Sequence, residues 1–98
     1  MKIEFKDIGN HLGTRSEARE LRSFIISAMQ KGQRVVFDFD KVEIISNSFA
    51  DECFAKLTEE FNLDRIKSQT HFQNASPFVR AVIANSFKER LSRHHASS

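Results

Sequence analysis

Two hydrophobic periodicities alternate along this 98-residue chain, and their alternation limits its possible folds more than any other feature. In residues 2–8, 34–40 and 66–73 the less polar side chains fall at every second position, as in strands with one buried face. The segments after each of them repeat apolar residues every three or four positions, as in amphipathic helices. The predicted order is β-α-β-α-β-α, and strands that are joined through helices run parallel.

The first and third helices begin at clear capping signals. Thr14 and Glu17 have the spacing of a capping box, in which each side chain satisfies a backbone N–H group of the other. Ser76 followed by Pro77 is typical of an N-cap and the first helical position. These signals predict helix starts near residues 15 and 77.

The order of the strands decides where the helices lie. Right-handed crossovers place all helices on one face of the sheet only if the strands follow their order in the chain. If the first strand were central, the first helix would cover the opposite face. The alternating strands favour the sequential order, which leaves one polar sheet face for a protein partner or a second subunit. A homodimer is therefore expected as one possible assembly.

The sequence predicts a single small α/β domain over residues 1–92, with a flexible tail over residues 93–98. We expect three or four mostly parallel strands packed by three main helices. The second helix is predicted over residues 48–61, with Ser48 and Asp51 at the spacing of a cap.

Composition excludes several classes of protein. The chain carries 15 basic and 13 acidic residues, and a net charge of +2 is too small to indicate nucleic-acid binding. No run approaches the roughly 20 apolar residues that span a bilayer, and the N-terminus does not resemble a secretory signal. The single cysteine, Cys53, lies on an apolar helix face, so we interpret it as core packing. We expect a cytoplasmic protein without a cofactor or a membrane partner.

The turn formed by Ser46, Asn47 and Ser48, here called the serine turn, is the main candidate for a functional site. It lies where an extended segment is followed by the second helix, and free backbone N–H groups are exposed at such a point. A phosphate on Ser48 would lie at the positive end of the helix while adding up to two negative charges. The simpler interpretation is that these hydroxyls only cap the helix, at about 1 kcal/mol each.

All three predicted helices start at the same edge of the sheet, where α/β proteins place their ligands. Thr14, Ser48 and Ser76 are therefore expected to line one rim, and Arg15 lies beside it. We name Thr14, Arg15 and Ser76 as anion-binding candidates, with helix capping as the simpler interpretation.

Other polar residues predict less. Asp38, Asp40 and Asp51 could form an acidic cluster near the rim that binds Mg²⁺ or accepts a phosphoryl group, but solvated carboxylates and a cap explain them as well. The histidines have no metal-ligand spacing, so we predict no metal site; they are His11, His71, His94 and His95.

Basic residues of the first helix form a stripe at Arg15, Arg19 and Arg22, interrupted by Glu17 and Glu20. Mixed charges at this spacing are typical of a solvated, ion-paired helix face, so we predict no nucleic-acid partner.

Two segments carry a family resemblance: VVFDFDKVEIISNSFADE at residues 35–52 and NASPFV at residues 74–79. They resemble the uncharacterised STAS-like domain family of prokaryotes, and the resemblance extends over about residues 12–87. It implies the small α/β fold described above. That family has no settled activity.

More distantly, the chain is similar to the STAS domains of anti-sigma-factor antagonists. There a strand ends in an Asp-Ser-Ser-Gly-Leu-Gly turn, whose second serine is phosphorylated by a partner kinase that is itself an anti-sigma factor. Ser46 takes the Asp position of that turn, Asn47 the first Ser and Ser48 the second. The resemblance thus makes Ser48 a candidate phosphoserine. Phe49 and Asp51 replace the two glycines, so we expect Phe49 to crowd the turn and Asp51 to occupy the cap's N–H groups.

The first functional hypothesis is a non-catalytic regulatory module that binds a protein partner through the serine turn and the second helix. The resemblance implies a histidine-kinase-like ATPase as that partner. The alternative is a small-molecule or nucleotide sensor that uses the same rim. An enzyme acting through Asp38 and Asp40 ranks last, because no base, nucleophile and orienting group stand at a convincing spacing.

Overall fold

The structure of the protein, a computed structural model, describes residues 1–8 and 11–96, with side chains for residues 1–8 and 12–93. The strands are β1 (Lys2–Glu4), β2 (His11–Leu12), β3 (Val35–Asp38), β4 (Ile44–Ile45) and β5 (Thr70–Gln73). The helices are α1 (Arg15–Gln30), α2 (Asn47–Cys53), α3 (Leu63–Gln69) and α4 (Pro77–Ala96), and two short 3₁₀ helices span Phe5–Asp7 and Ala55–Glu59.

The main sheet has three parallel strands in the order β1-β3-β5, which confirms the predicted α/β class and the sequential strand order. Ile3 of β1 pairs with Phe37 of β3, which pairs with Phe72 of β5. A separate two-stranded parallel sheet joins β2 to β4. With the sequential order, right-handed crossovers place the helices on one face of the main sheet.

The core lies between that sheet face and the helices. Ile3, Val35 and Phe37 are buried, whereas Lys2 and Glu4 alternate with them on the opposite face and are more exposed. Phe54 is at the centre of the aromatic packing, because its ring lies within 6.5 Å of five other phenylalanine rings. Phenylalanine fills this small core without bringing a polar group that needs a partner.

Helix α1 confirms the predicted start and the Thr14 N-cap, but not the reciprocal bond of the capping box, because among the described residues Glu17 accepts the Thr14 hydroxyl and not the Thr14 N–H. The Glu17 N–H donates to the Thr14 hydroxyl, and that hydroxyl donates to the Glu17 carboxylate at 2.6 Å. The helix is followed by Gly32, whose φ of +80° suits a residue without a side chain. Its buried residues are Ala18, Ile25, Ala28 and Met29.

The second helix differs from its prediction. α2 begins at Asn47 with Ser46 as its N-cap, not at Ser48, because the Ser46 hydroxyl accepts the Phe49 N–H at 3.0 Å. It ends at Cys53, and the 3₁₀ helix Ala55–Glu59 continues the segment predicted as helix. The serine turn therefore contains a cap residue and the first two helical residues.

The third predicted strand, residues 66–73, starts four residues before the observed strand. Residues 66–69 belong to α3, whose N-cap is Asn62: the Asn62 side chain accepts the Arg65 N–H at 2.8 Å. Only Thr70–Gln73 forms the strand. The apparent alternation from Ile66 onward was misleading, because in α3 only Ile66 is buried.

The first strand is also shorter than predicted, and the end of the chain is described only in part. β1 stops at Glu4, and Phe5 enters the core from a 3₁₀ turn. Residues 93–96 continue α4, and Ser97 and Ser98 lie outside the described residues. The flexibility of the tail and the domain boundary at residue 92 therefore stay predictions. Across residues 1–8 and 11–96, no helix combines the length and the apolarity needed to cross a bilayer.

Candidate functional site at the start of helix α2

The two serines of the serine turn are bonded differently. The Ser46 hydroxyl caps α2 and also donates to the Gly13 carbonyl at 3.1 Å, while the Ser46 N–H donates to the Leu12 carbonyl. In the described part of the chain, the Ser48 hydroxyl has no side-chain hydrogen bond, and Ser48 is half-buried. The Ser46 hydroxyl therefore stabilises the turn through hydrogen bonds, and the Ser48 hydroxyl does not.

Phe49 does not crowd the turn, contrary to our expectation. It is 1% exposed and packs in the core, with its ring 6.4 Å from that of Phe5. The first turn of a helix points successive side chains in different directions, so Phe49 is buried while Asn47 stays exposed. The Phe49 ring is therefore part of the core, and Ser48 beside it is half-buried.

Asp51 does not occupy the cap either. It is buried one turn further along α2, where its carboxylate forms a two-pronged contact with Arg90 of α4, at 2.9 Å to Nε and 2.8 Å to Nη2. Arg15 of α1 adds a third contact at 3.3 Å. Asp51 thus joins the start of α1 and the end of α4 to α2.

Glu52, the next residue of α2, is buried more completely than Asp51, at 1% exposure. Its carboxylate accepts from Arg15 and Lys56, each at 3.0 Å, and from Arg22. The Arg22 guanidinium also donates to the Glu52 backbone carbonyl at 2.6 Å. We call this group the ionic cluster; its members are Asp51, Glu52, Arg15, Arg22, Lys56 and Arg90.

Burial and hydrogen bonding act in opposite directions on these carboxyls. Burial alone would raise the pKa of Glu52, but hydrogen bonds from Arg22, Lys56 and Arg15 outweigh it and hold that pKa at about 2. Burial likewise opposes the Arg90 and Arg15 hydrogen bonds at Asp51, and the net effect is a lowered pKa. Both side chains are therefore ionised at neutral pH, and their charges are balanced locally.

Only some of the residues predicted to line one rim are connected in the structure. The serine turn contacts the start of α1 through Gly13, and Arg15 reaches the two carboxylates that follow Ser48 in α2. Ser76 caps α4 by accepting the Val79 N–H at 3.2 Å. No hydrogen bond among the described side chains joins Ser76 to Thr14, Arg15 or the serine turn. Anion binding by Thr14, Arg15 and Ser76 stays a prediction.

The proposed acidic cluster of Asp38, Asp40 and Asp51 does not form, since Asp51 belongs to the ionic cluster. Asp38 instead accepts from Asn74 at 2.9 Å and from the Asp40 N–H at 3.0 Å, and Lys2 lies 3.3 Å away. The Asn74 amide and the Asp40 N–H hold the pKa of Asp38 well below its usual range. Asp38 therefore fastens the carboxyl ends of β3 and β5 to each other.

Within the described side chains, no group of three or more histidine, cysteine, aspartate or glutamate residues is arranged to hold a metal ion. His71 is exposed on β5. The side chains of His11, His94 and His95 lie outside the described part. Cys53 is fully buried, which raises the pKa of its thiol and agrees with core packing.

The ionic cluster is the feature that the sequence analysis missed. The arginine stripe of α1 was interpreted as a solvated face, but Arg15 and Arg22 contact Glu52, and Arg19 comes within 3.9 Å of it. Two signals could have indicated this: arginines at helical spacing, and two adjacent carboxylates within an otherwise apolar helical segment, Ala50 to Phe54.

A small three-stranded parallel sheet with helices on one face, and a serine at the start of the helix after β4, define a STAS-like α/β domain. The family described as "STAS-like domain of unknown function (DUF4325)" matches residues 17–80. The chain belongs to this family. No curated protein and no solved structure matches it significantly.

Proposed function

We propose that this domain is a non-catalytic regulatory module that binds a protein partner through the serine turn and the neighbouring start of α1. Phosphorylation of Ser48 would change which partner fits. The observation that carries the proposal is the difference between two nearby hydroxyls. Ser46 is held by the Phe49 N–H and the Gly13 carbonyl, whereas Ser48 is half-buried and free of side-chain hydrogen bonds within the described residues.

The charges around Ser48 support a change of surface on phosphorylation. Ser48, Asp51 and Glu52 are spaced three and four residues apart on α2, so they share one side of the helix. A phosphate would add up to two negative charges near Arg15, which is half-exposed and already contacts both carboxylates. The phosphate would compete with Asp51 and Glu52 for Arg15, and this would alter the surface shared by α1 and α2.

The polar groups that could serve catalysis support a binding role rather than an enzyme. Asp51 and Glu52 are neutralised by arginine and lysine side chains, and Asp38 is fastened to Asn74. A catalytic site would need a nucleophile, a base and an orienting group within hydrogen-bond reach of one another. The carboxylates described here already serve as structural links.

The resemblance to anti-sigma-factor antagonists suggests a histidine-kinase-like ATPase as the partner. Such a kinase would transfer the γ-phosphoryl group of ATP to the Ser48 oxygen, with release of ADP and of the hydroxyl proton. The test incubates the full chain with ATP and each histidine-kinase-like ATPase of the source organism, and follows intact mass. We expect a gain of one phosphate in the wild type and in Ser23→Ala, an exposed-serine control, but not in Ser48→Ala.

A second measurement separates the modification from its consequence. Phosphoserine can be incorporated directly at position 48, and binding to the same ATPases compared with that of the unmodified chain. We expect the phosphorylated form to lose affinity for the kinase. Equal binding by both forms, together with equal phosphate uptake by Ser48→Ala and wild type, contradicts the proposal.

The alternative function is a small-molecule or nucleotide sensor at Thr14, Arg15, Ser48 and Ser76. Thermal unfolding in the presence of ATP, ADP and GTP discriminates the two, because a ligand at 100 times its dissociation constant adds about 2.7 kcal/mol of stability. A rise of several degrees that Arg15→Ala removes would favour the sensor. The regulatory proposal expects no such rise.

A further inference from the structure

Strand β5 lies at one side of the main sheet, and no neighbouring strand covers its outer edge in the described part of the chain. The Phe39 N–H donates to the Gln73 carbonyl at 3.0 Å, so the backbone groups of Gln73 point toward β3. Backbone direction alternates along a strand, so the N–H and C=O of Phe72 point away from β3. Free backbone groups at a sheet edge can pair with another strand.

An apolar groove of about 520 Å³ lies beside this edge, between α3 and α4. Its walls include Leu63 of α3, Phe72 of β5, and Phe87 and Leu91 of α4, all of which are only half-buried. A second cavity of about 290 Å³ shares Phe72 and Phe87 with it, so the apolar surface continues toward the start of α4. A continuous apolar surface of this kind marks an interaction site.

The charges that line these cavities have one sign. Lys67 borders the groove at α3, and Arg80 borders the second cavity near the start of α4. No carboxylate lines either cavity, and neither Lys67 nor Arg80 forms an ion pair within the described side chains. An occupant that carries acidic groups on either side of an apolar centre would complement this surface.

We propose that the groove binds an extended peptide segment of a protein partner, which adds to β5 as a further strand. Alternate apolar side chains of the segment would enter the groove between α3 and α4. Acidic residues at its two ends would pair with Lys67 and Arg80. Main-chain hydrogen bonds to Phe72 give affinity in this mode, and the pockets for alternate side chains give specificity.

The free backbone edge favours a peptide over an acyl chain, which cannot pair with amide groups. The charges favour a separate protein partner over a second copy of this chain. A second copy would present its other outer strand, β1, which carries the basic Lys2 as well as the acidic Glu4. The groove shares no lining residue with the serine turn. The inference therefore does not depend on phosphorylation of Ser48.

The experiment selects peptides of about ten residues, long enough for one strand, from a random display library against the immobilised full chain. The strongest binders are synthesised and titrated against wild type, Lys67→Glu and Ala84→Arg. Both sites are exposed, and Ala84 lines both cavities. Lys88→Glu, an exposed lysine of α4 outside the groove lining, is the matched control.

We expect the selected sequences to combine alternating apolar residues with flanking aspartate or glutamate. Lys67→Glu and Ala84→Arg should each weaken binding by about tenfold or more, a change of about 1.4 kcal/mol. Lys88→Glu should leave binding within about twofold. Amide hydrogen exchange should slow at Phe72 when the peptide binds, since that N–H gains a partner.

Several results would overturn the inference. One is a selection that enriches no sequence over the starting library, and another is equal binding to wild type and Ala84→Arg. Unchanged exchange at Phe72, or full binding by a peptide N-methylated along its backbone, excludes strand addition. Laurate binding without peptide binding assigns the groove to a small amphiphile, and dimers that Ala84→Arg dissociates assign it to a second copy.

Discussion

At the scale of single residues, neighbouring polar groups of α2 have separate roles. Ser46 holds the turn, Ser48 makes no side-chain hydrogen bond among the described residues, and Asp51 and Glu52 connect α2 to α1 and α4. The sequence named Ser46, Ser48 and Asp51 as candidates because hydroxyls and acids cluster at helix starts. It did not assign their roles, because those depend on Gly13, Arg15 and Arg90, which are distant in the chain.

Substituting Ser46 should cost more stability than substituting Ser48. Ser46→Ala removes the acceptor for the Phe49 N–H and the donor to Gly13, so we expect a loss of about 1 kcal/mol. Ser48→Ala should change the free energy of unfolding by less than about 0.5 kcal/mol. Urea denaturation of both variants provides the comparison, and a larger loss for Ser48→Ala would reverse the assignment of the cap.

The stability of the domain should fall in acid because of Glu52. Its pKa is about 2 in the folded protein, against an ordinary 4.5. Folding lowers this pKa, so the stabilisation is complete above about pH 4.5 and is lost as the pH falls toward about 2. The free energy of unfolding, measured by urea denaturation across this interval, should decrease.

A matched pair of variants isolates that contribution. Glu52→Gln should lose about 3 kcal/mol at neutral pH, because it leaves buried cations without their counter-charge, and should show a shallower decrease in acid. Glu60→Gln, at an exposed position, should keep the wild-type dependence. Equal slopes for wild type and Glu52→Gln would show that other carboxyls cause the acid sensitivity.

At the scale of elements, the end of α1 is completed by side chains of α3. The Met29 carbonyl accepts from Arg65 at 3.2 Å and from Gln69 at 3.1 Å, and Gln69 also donates to the Gln33 carbonyl. The last carbonyls of a helix lack partners within it. The Gly32 N–H also donates to the Met29 carbonyl at 2.9 Å, and the α3 side chains add to that bond. The sequence analysis did not predict α3, and this function of Gln69 was missed with it.

Gln69→Ala should destabilise the protein by about 1–2 kcal/mol, because two carbonyls lose a donor at once. Lys67→Ala, on the same helix at an exposed position, should stay within about 0.5 kcal/mol of wild type. Thermal and urea unfolding of the two variants measure the difference. If both variants unfold alike, the Gln69 contacts do not contribute to stability.

At the scale of the whole molecule, the sequential strand order decides which surfaces remain available. It places one face of the sheet against the core and leaves the opposite face, with Lys2, Glu4 and His71, facing outward. It also makes β1 and β5 the outer strands, so both edges of the sheet are possible binding surfaces. α4 joins these regions, since Arg90 contacts Asp51 while Leu91 lines the groove beside β5.

Phe54 should be the most sensitive aromatic position. Phe54→Leu keeps an apolar side chain but removes ring contacts to Phe5, Phe37 and Phe72, so we expect a loss of about 2 kcal/mol. Phe78→Leu, at a position 54% exposed, should be nearly neutral. The denaturant midpoints of the two variants test this prediction. Similar midpoints would show that Phe54 contributes no more to stability than the exposed Phe78.

The sequence by itself determined the α/β class, the parallel strands and the capping of α1 and α4. These features follow from local periodicity and from side chains that bond to backbone only three residues away. The alternating strands also indicated the sequential order, because each had only one apolar face to cover.

Only the tertiary structure decided the true cap of α2, the boundary between α3 and β5, and the ionic cluster. Ser46 and Ser48 are both acceptable caps by residue type, and the contact with Gly13, 33 positions away, distinguishes them. Glu52 is tolerated at 1% exposure because Arg15 and Arg22, 37 and 30 positions earlier, meet it in space. Local sequence patterns can indicate that a charged side chain is buried but do not identify its partners, since the energy that fixes the pairing arises when separate elements pack together.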